Sequence, residues 1–302
     1  MKTFSRCLAA IAIGIACLTP LTAFAQSEKI TLKMIPEPNQ TIRMKMVQEM
    51  EIEMSFEGDQ STGNFPAGPM KMAAKTVFGM TQKVGPQDKQ GNIVSEVTYD
   101  ELSSEMTMNG QSMQVGDEVG KFIGKKATAT FDKQGDLVDI KIPSDLGVPE
   151  ETFKQLMKSL YGNLPKTPIS VGETAATPLD FALPVPVPGA GPLKMDGQIK
   201  FKLVSIERGV EGRQAKFDQS LDGKMASVME VPTPNGAVKM SLDFTMNGVG
   251  VMLMNVDKGW IKSSDLKSTF SGKIKPAGEA GEPAPPTMKL QGSMKMMITG
   301  SN

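Results

Sequence analysis

Residues 42–57 read IRMKMVQEMEIEMSFE, and this stretch decides the fold. Its even positions are Ile42, Met44, Met46, Gln48, Met50, Ile52, Met54 and Phe56. Its odd positions are Arg43, Lys45, Val47, Glu49, Glu51, Glu53, Ser55 and Glu57. Side chains alternate between the two faces of a strand, so a period of two predicts one apolar and one charged face. At about 3.3 Å per residue the segment spans roughly 50 Å. Few strands are that long, so the sheet is expected to be strongly coiled.

The same alternation recurs along the chain. It runs through Met70, Met72, Ala74, Phe78 and Met80, and again through Ala215, Phe217, Leu221 and Met225. Val238, Met240, Leu242, Phe244 and Met246 form another row, and Met288, Leu290, Met294, Met296 and Ile298 the last. Less regular strands are predicted over 93–108, 126–130, 137–142, 195–206, 251–256 and 260–274. Asn109-Gly110, Asn235-Gly236 and Asn247-Gly248 carry the tight-turn signature, and Asp132–Gly135 and Asp257–Gly259 predict two further hairpin turns. One helix is expected over Pro149–Tyr161. It starts with a proline and two acids, places Phe153, Leu156, Met157 and Leu160 at helical spacing, and stops at Gly162. Gly58–Pro69, Leu183–Pro192 and Pro276–Pro286 are rich in proline and glycine and read as loops. The expected fold is mainly β: a coiled antiparallel sheet, half-open or closed as a barrel, of about ten or eleven strands around that helix. One domain over 26–302 is favoured, with two β-halves, 26–177 and 193–302, as the alternative.

The first 25 residues have the three parts of an export signal. Lys2 and Arg6 precede an uncharged apolar stretch, and Ala23-Phe24-Ala25 is a cleavage signature before Gln26. The expected location is therefore the periplasm or the extracellular space, with no membrane span left after cleavage. A lipid-modified Cys17 is the competing expectation. Both cysteines, Cys7 and Cys17, lie in this leader, and the chain contains no histidine. Thiol nucleophiles, thiolate metal sites, serine–histidine triads and imidazole proton shuttles are thereby excluded from the chain after cleavage. The 33 basic and 33 acidic residues balance, without basic clusters, which argues against a nucleic-acid partner. No cofactor is expected.

Twenty-four methionines fall mainly on the apolar rows. A thioether side chain is a pliable filler of cores and also suits a surface that accommodates varied apolar ligands. The candidate ligand-lining residues are Met46, Met50, Met54, Phe56, Met72, Phe78, Phe153, Leu156, Leu160, Met240, Phe244, Met294 and Met296. A second reading is copper(I) binding by soft thioethers, with Met44, Met46, Met294, Met296 and Met297 as candidate ligands. Glu49, Glu51, Glu53 and Glu57 lie on the charged strand face, where solvation explains them without paired acid–base chemistry. No catalytic residue and no glycine-loop phosphate site is found.

The order of these features, with Phe131-Asp132-Lys133-Gln134-Gly135 in a hairpin and Leu164-Pro165-Lys166-Thr167-Pro168-Ile169-Ser170-Val171-Gly172-Glu173 after the helix, resembles a domain family of unknown function in exported bacterial proteins. Glu173 stands where that family commonly has aspartate. More distantly the layout is similar to lipoprotein- and lipid-carrier proteins of the bacterial envelope, a resemblance that implies a hydrophobic ligand. The expectation is an exported protein that binds a lipid, acyl chain or apolar peptide on a methionine-rich concave sheet face, without catalysis. A structural or protein-interaction role in the envelope, with a partner the sequence does not name, is the remaining alternative.

Overall fold

The computed structural model describes residues 28–33, 37–57, 68–113, 117–133, 135–143, 165, 167–183, 193–233, 236–277 and 286–302. The described chain is almost entirely antiparallel β. Its N-terminal part forms β1 (Lys29–Ile30), β2 (Thr41–Glu57), β3 (Met70–Gln87), β4 (Ile93–Met108), β5 (Gln111–Met113), β6 (Lys126–Phe131) and β7 (Leu137–Lys141). Its C-terminal part forms β8 (Ile169–Ser170), β9 (Thr174–Leu183), β10 (Leu193–Gly209), β11 (Gly212–Thr233), β12 (Gly236–Asn255), β13 (Trp260–Pro276) and β14 (Thr287–Ser301).

Twelve of these strands make one sheet, ordered β7-β6-β4-β3-β2-β14-β13-β12-β11-β10-β9, with β5 paired to β4. Each half of the chain is a meander of neighbouring strands. The seam between the halves is the pairing of β14 with β2, which runs from Thr287↔Glu57 to Ser301↔Arg43. Both sequence halves thus build one sheet. Among the described residues no pairing joins β7 to β9, so the sheet is open rather than a closed barrel. They contain no α-helix either: the helix expected over Pro149–Tyr161, with Phe153, Leu156 and Leu160, lies outside them.

The expected segments place β2, β6, β7, β10, β13 and β14 to within a few residues, and β4 occupies the expected 93–108, whereas β1, β5, β8 and β9 were not expected. Asn109-Gly110 is the expected turn, with positive φ at both residues (50° and 80°). Gly135 and Gly259 likewise close the turns after β6 and β12 at positive φ. Asn247-Gly248 is a correction. It lies inside β12, paired with Asp222 and Leu221 on one side and Thr269 and Ser268 on the other. Its glycine serves close strand approach: a Cβ at Gly248 would sit 3.1 Å from both the Lys267 carbonyl oxygen and the Ser268 Cβ. The segments expected as 238–246 and 251–256 are therefore one twenty-residue strand.

The two-stranded ribbon of β1 and β8 packs Ile30, Leu32 and Ile169 against Phe201, Leu203, Phe217, Met252, Met254 and Ile261, which form the main core. The segment Ile169–Glu173 that follows the expected helix has its structural role here. The Glu173 carboxylate accepts the Ser170 N–H at 2.7 Å, Gly172 turns at φ 91°, and the Gly172 N–H reaches the Leu203 carbonyl. Arg213 clamps the same end of the sheet. Its guanidinium donates to Asp257 and to Glu28, each at 2.7 Å. The hydrogen bonds from Arg213 hold the Asp257 carboxyl below its ordinary range. Smaller clusters form around Phe131 and Ile140 on β6 and β7, and around Met225 and Leu242.

Candidate functional site

Register carries the alternation of β2 across the sheet, so one face can be read row by row. The Met50 row runs Met106, Ala74, Met50, Met294, Ser268, Gly248, Leu221 and Ile199. The Ile52 row runs Met108, Met72, Ile52, Gly292, Phe270, Met246 and Gly223. The Met46 row joins Leu102, Phe78, Met46, Ile298, Ser264, Met252, Phe217 and Leu203. Between the Met46 and Phe56 rows, this face of β2–β4 and β9–β14 bears no Asp, Glu, Lys or Arg.

Of the candidate ligand-lining residues, Met46, Met50, Met54, Phe56, Met72, Phe78, Met240, Phe244, Met294 and Met296 all fall on this one face. Met50 lies directly opposite Met294, and Met46 opposite Phe78. Met240 sits at the far end of β12, against Pro276, and is buried. Burial divides the face. At the ribbon end Leu203, Phe217 and Met254 are fully buried, whereas Met46, Met50, Met54, Met72, Met294 and Met296 are only partly buried.

Of the copper candidates, Met44, Met46, Met294 and Met296 share the face. Met297 is a correction: it pairs with Val47 and Asp265 on the opposite face, because a one-residue step on a strand reverses the side chain. Register also creates methionine pairs that spacing along one strand does not reveal: Met44↔Met80, Met54↔Met70 and Met72↔Met108.

Sequence reasoning missed Phe270, the stacking partner of Phe244, and a polar band. Phe244 and Phe270 stack with ring centroids 5.3 Å apart at 29°. They fit because glycines lie beside them: a Cβ on Gly292 would meet the Phe270 ring at 2.5 Å, and one on Gly272 would meet Phe244 at 2.9 Å. Such rings lying over glycines are a known way to fill a sheet face. Phe270 has the parity of Leu266, and that signal was readable. The polar band is Ser104, Thr76 and Gln48, side by side on β4, β3 and β2. The Gln48 amide donates to the Met294 sulfur at 3.3 Å, and Thr76 and Ser104 bond to each other at 3.3 Å.

The charged face is different. Lys45–Glu101 (2.9 Å), Lys75–Glu49 (3.4 Å), Lys275–Asp243 (3.5 Å) and Lys289–Glu57 are ion pairs on it, largely solvated and individually weak. Two open concavities of about 750 and 780 Å³ lie on this side, lined by polar groups that include Glu51, Asn247, Thr269 and Ser293. The methionine face had been expected to be the concave one. The two hollows lie on the other face instead. The described residues hold no cluster of three carboxylates of metal-binding geometry. None of their helices is long and apolar enough to cross a membrane.

No protein-family model matches the sequence, and no curated protein matches it. Among solved structures, one titled "Lipid-protein interactions in lipovitellin" matches with a TM-score of 0.47 and 9% identity. The match covers 89% of this chain and 26% of that one, so this chain spans about a quarter of its length.

Proposed function

We propose that this chain is an exported envelope protein that binds an apolar ligand, a lipid, acyl chain or apolar peptide, on its methionine face and performs no chemistry on it. One observation carries the reading. An uncharged face continuous across the sheet is closed off at the ribbon end but only partly buried over β3, β2 and β14. Extended apolar surface of this kind is costly to leave against water and commonly marks a binding surface. Flexible thioethers and a stacked aromatic pair give it adaptable contact area.

Titration with N-phenyl-1-naphthylamine tests the proposal. Fluorescence should rise saturably, and Met50→Lys or Met294→Lys should weaken binding, because a cation is then desolvated under the probe. Saturable binding unchanged in both variants would move the site elsewhere. Absence of binding to the native protein would remove the reading. A second reading, thioether binding of copper(I), draws support from the cross-strand pairs Met44↔Met80 and Met50↔Met294, which put two soft sulfur ligands on adjacent strands.

A further inference from the structure

We infer that the ligand of the methionine face is an uncharged lipid carrying an ester, amide or hydroxyl group, and that this group sits on the band formed by Gln48, Thr76 and Ser104. The inference rests on the apolar-ligand reading above and names the class of ligand. Two observations lead to it. First, between the Met46 and Phe56 rows no ionisable side chain faces the ligand surface, so an ionised carboxylate or phosphate there would lie without counter-charge in a poorly solvated place. Ion pairs of the same strands, such as Lys75–Glu49, stand on the other face.

Second, the one row that interrupts the apolar surface of β4, β3 and β2 is uncharged and has hydrogen-bonding capacity to spare. The Gln48 amide donates only to a thioether sulfur, which is a weak acceptor. Its carbonyl oxygen has no hydrogen bond to a described residue. Thr76 and Ser104 share a single long bond, which leaves lone pairs on both hydroxyls. All three are partly buried, hence accessible from the face and shielded from bulk water. Adjacent strands lie about 4.8 Å apart, so the band is roughly 10 Å wide, the span of one small polar group. Hydrocarbon extending from it would run over Met50, Met294 and Met106 on one side and over Met46 and Phe78 on the other. An ester carbonyl can accept from the Gln48 amide better than the sulfur does, and a hydroxyl can donate to the Gln48 carbonyl.

The test is displacement of N-phenyl-1-naphthylamine from the mature protein by three palmitoyl compounds: monopalmitoylglycerol, methyl palmitate and, at mildly alkaline pH, ionised palmitate. The two esters should bind at least about tenfold more tightly than the anion. Gln48→Leu should weaken monopalmitoylglycerol about fivefold relative to the fluorophore, whose own affinity is measured in each variant. Thr76→Val, nearly isosteric, should weaken it by a smaller factor, and thermal unfolding of both variants confirms that they are folded. Palmitate binding as tightly as the esters would overturn the inference, as would an ester affinity indifferent to both substitutions, with the broader reading intact. Failure of the fluorophore and every lipid to bind would overturn both.

Discussion

Replacing Gly292 by alanine should strain the seam that joins the two halves of the sheet. A Cβ at this position would collide with the Glu51 carbonyl oxygen on β2 and would lie 2.5 and 2.8 Å from the Phe270 ring. The ring can rotate away, but the carbonyl belongs to the backbone of the paired strand and cannot. Overpacking of this kind costs typically about 1–3 kcal/mol. Displacing Phe270 from its stack on Phe244 forfeits a further 0.5–1.5 kcal/mol or so. Gly292→Ala should therefore destabilise the protein by about 2–4 kcal/mol, read as a lower urea midpoint with a nearly unchanged slope. Near-ultraviolet circular dichroism should report the lost aromatic stacking. Gly68→Ala is the control, since a Cβ there meets nothing within 4 Å. Adding Phe270→Leu to Gly292→Ala should recover part of the loss, giving a non-additive cycle. A loss under about 0.5 kcal/mol, or strict additivity in the cycle, would refute the packing of Phe270 over Gly292.

Met50→Glu should destabilise by about 1–3 kcal/mol and Glu51→Met by under about 0.5, since one places a carboxylate on the uncharged face and the other adds an exposed methionine. The Met50→Glu deficit should shrink in acid as the new carboxyl is protonated, and urea melts over a pH series check this; equal effects of the two would contradict the face assignment. Phe217→Ala, at a fully buried site, should cost about 3–5 kcal/mol, against a smaller loss for Met50→Ala at a partly buried one. Asp257 has a depressed carboxyl in the folded state because Arg213 hydrogen-bonds to it. Its contribution is thus present above the ordinary carboxylate range and lost as pH falls through the folded value. Asp257→Asn should be less stable than the native chain at neutral pH, by up to about 1 kcal/mol given its partial exposure, and should match it in strong acid. If thioethers hold copper(I), anaerobic silver(I) titration should give a stoichiometric endpoint that is lost when Met44, Met50, Met80 and Met294 become leucine.

Most of the fold was legible because period-two alternation is a local signal. Residues 42–57 announce both faces of β2, and the row 288–298 announces β14 in the same way, whereas β9 carries no such row. What could not be read is which strands meet. The β14–β2 seam joins residues some 240 apart in sequence, and no local pattern encodes that pairing. Consequently the Met50–Met294 and Met44–Met80 neighbours, and the row shared by Gln48, Thr76 and Ser104, emerge only from register. Asn247-Gly248 misled because a turn signature and a glycine needed for close strand approach look alike in one dimension. Gln48 was visible on the apolar row from the outset. It acquires meaning as a candidate contact only beside Thr76 and Ser104.

The most direct measurement of the central claim is photolabelling of the mature protein with an alkyl-diazirine lipid ester, followed by peptide mapping. The account predicts adducts on the methionine face of β2, β3 and β14, at residues such as Met50, Met72 and Met294, suppressed by excess unlabelled monopalmitoylglycerol. Competable adducts confined to the charged side, at Glu51, Thr269 or Ser293, would contradict it and assign the ligand to the opposite face of the sheet.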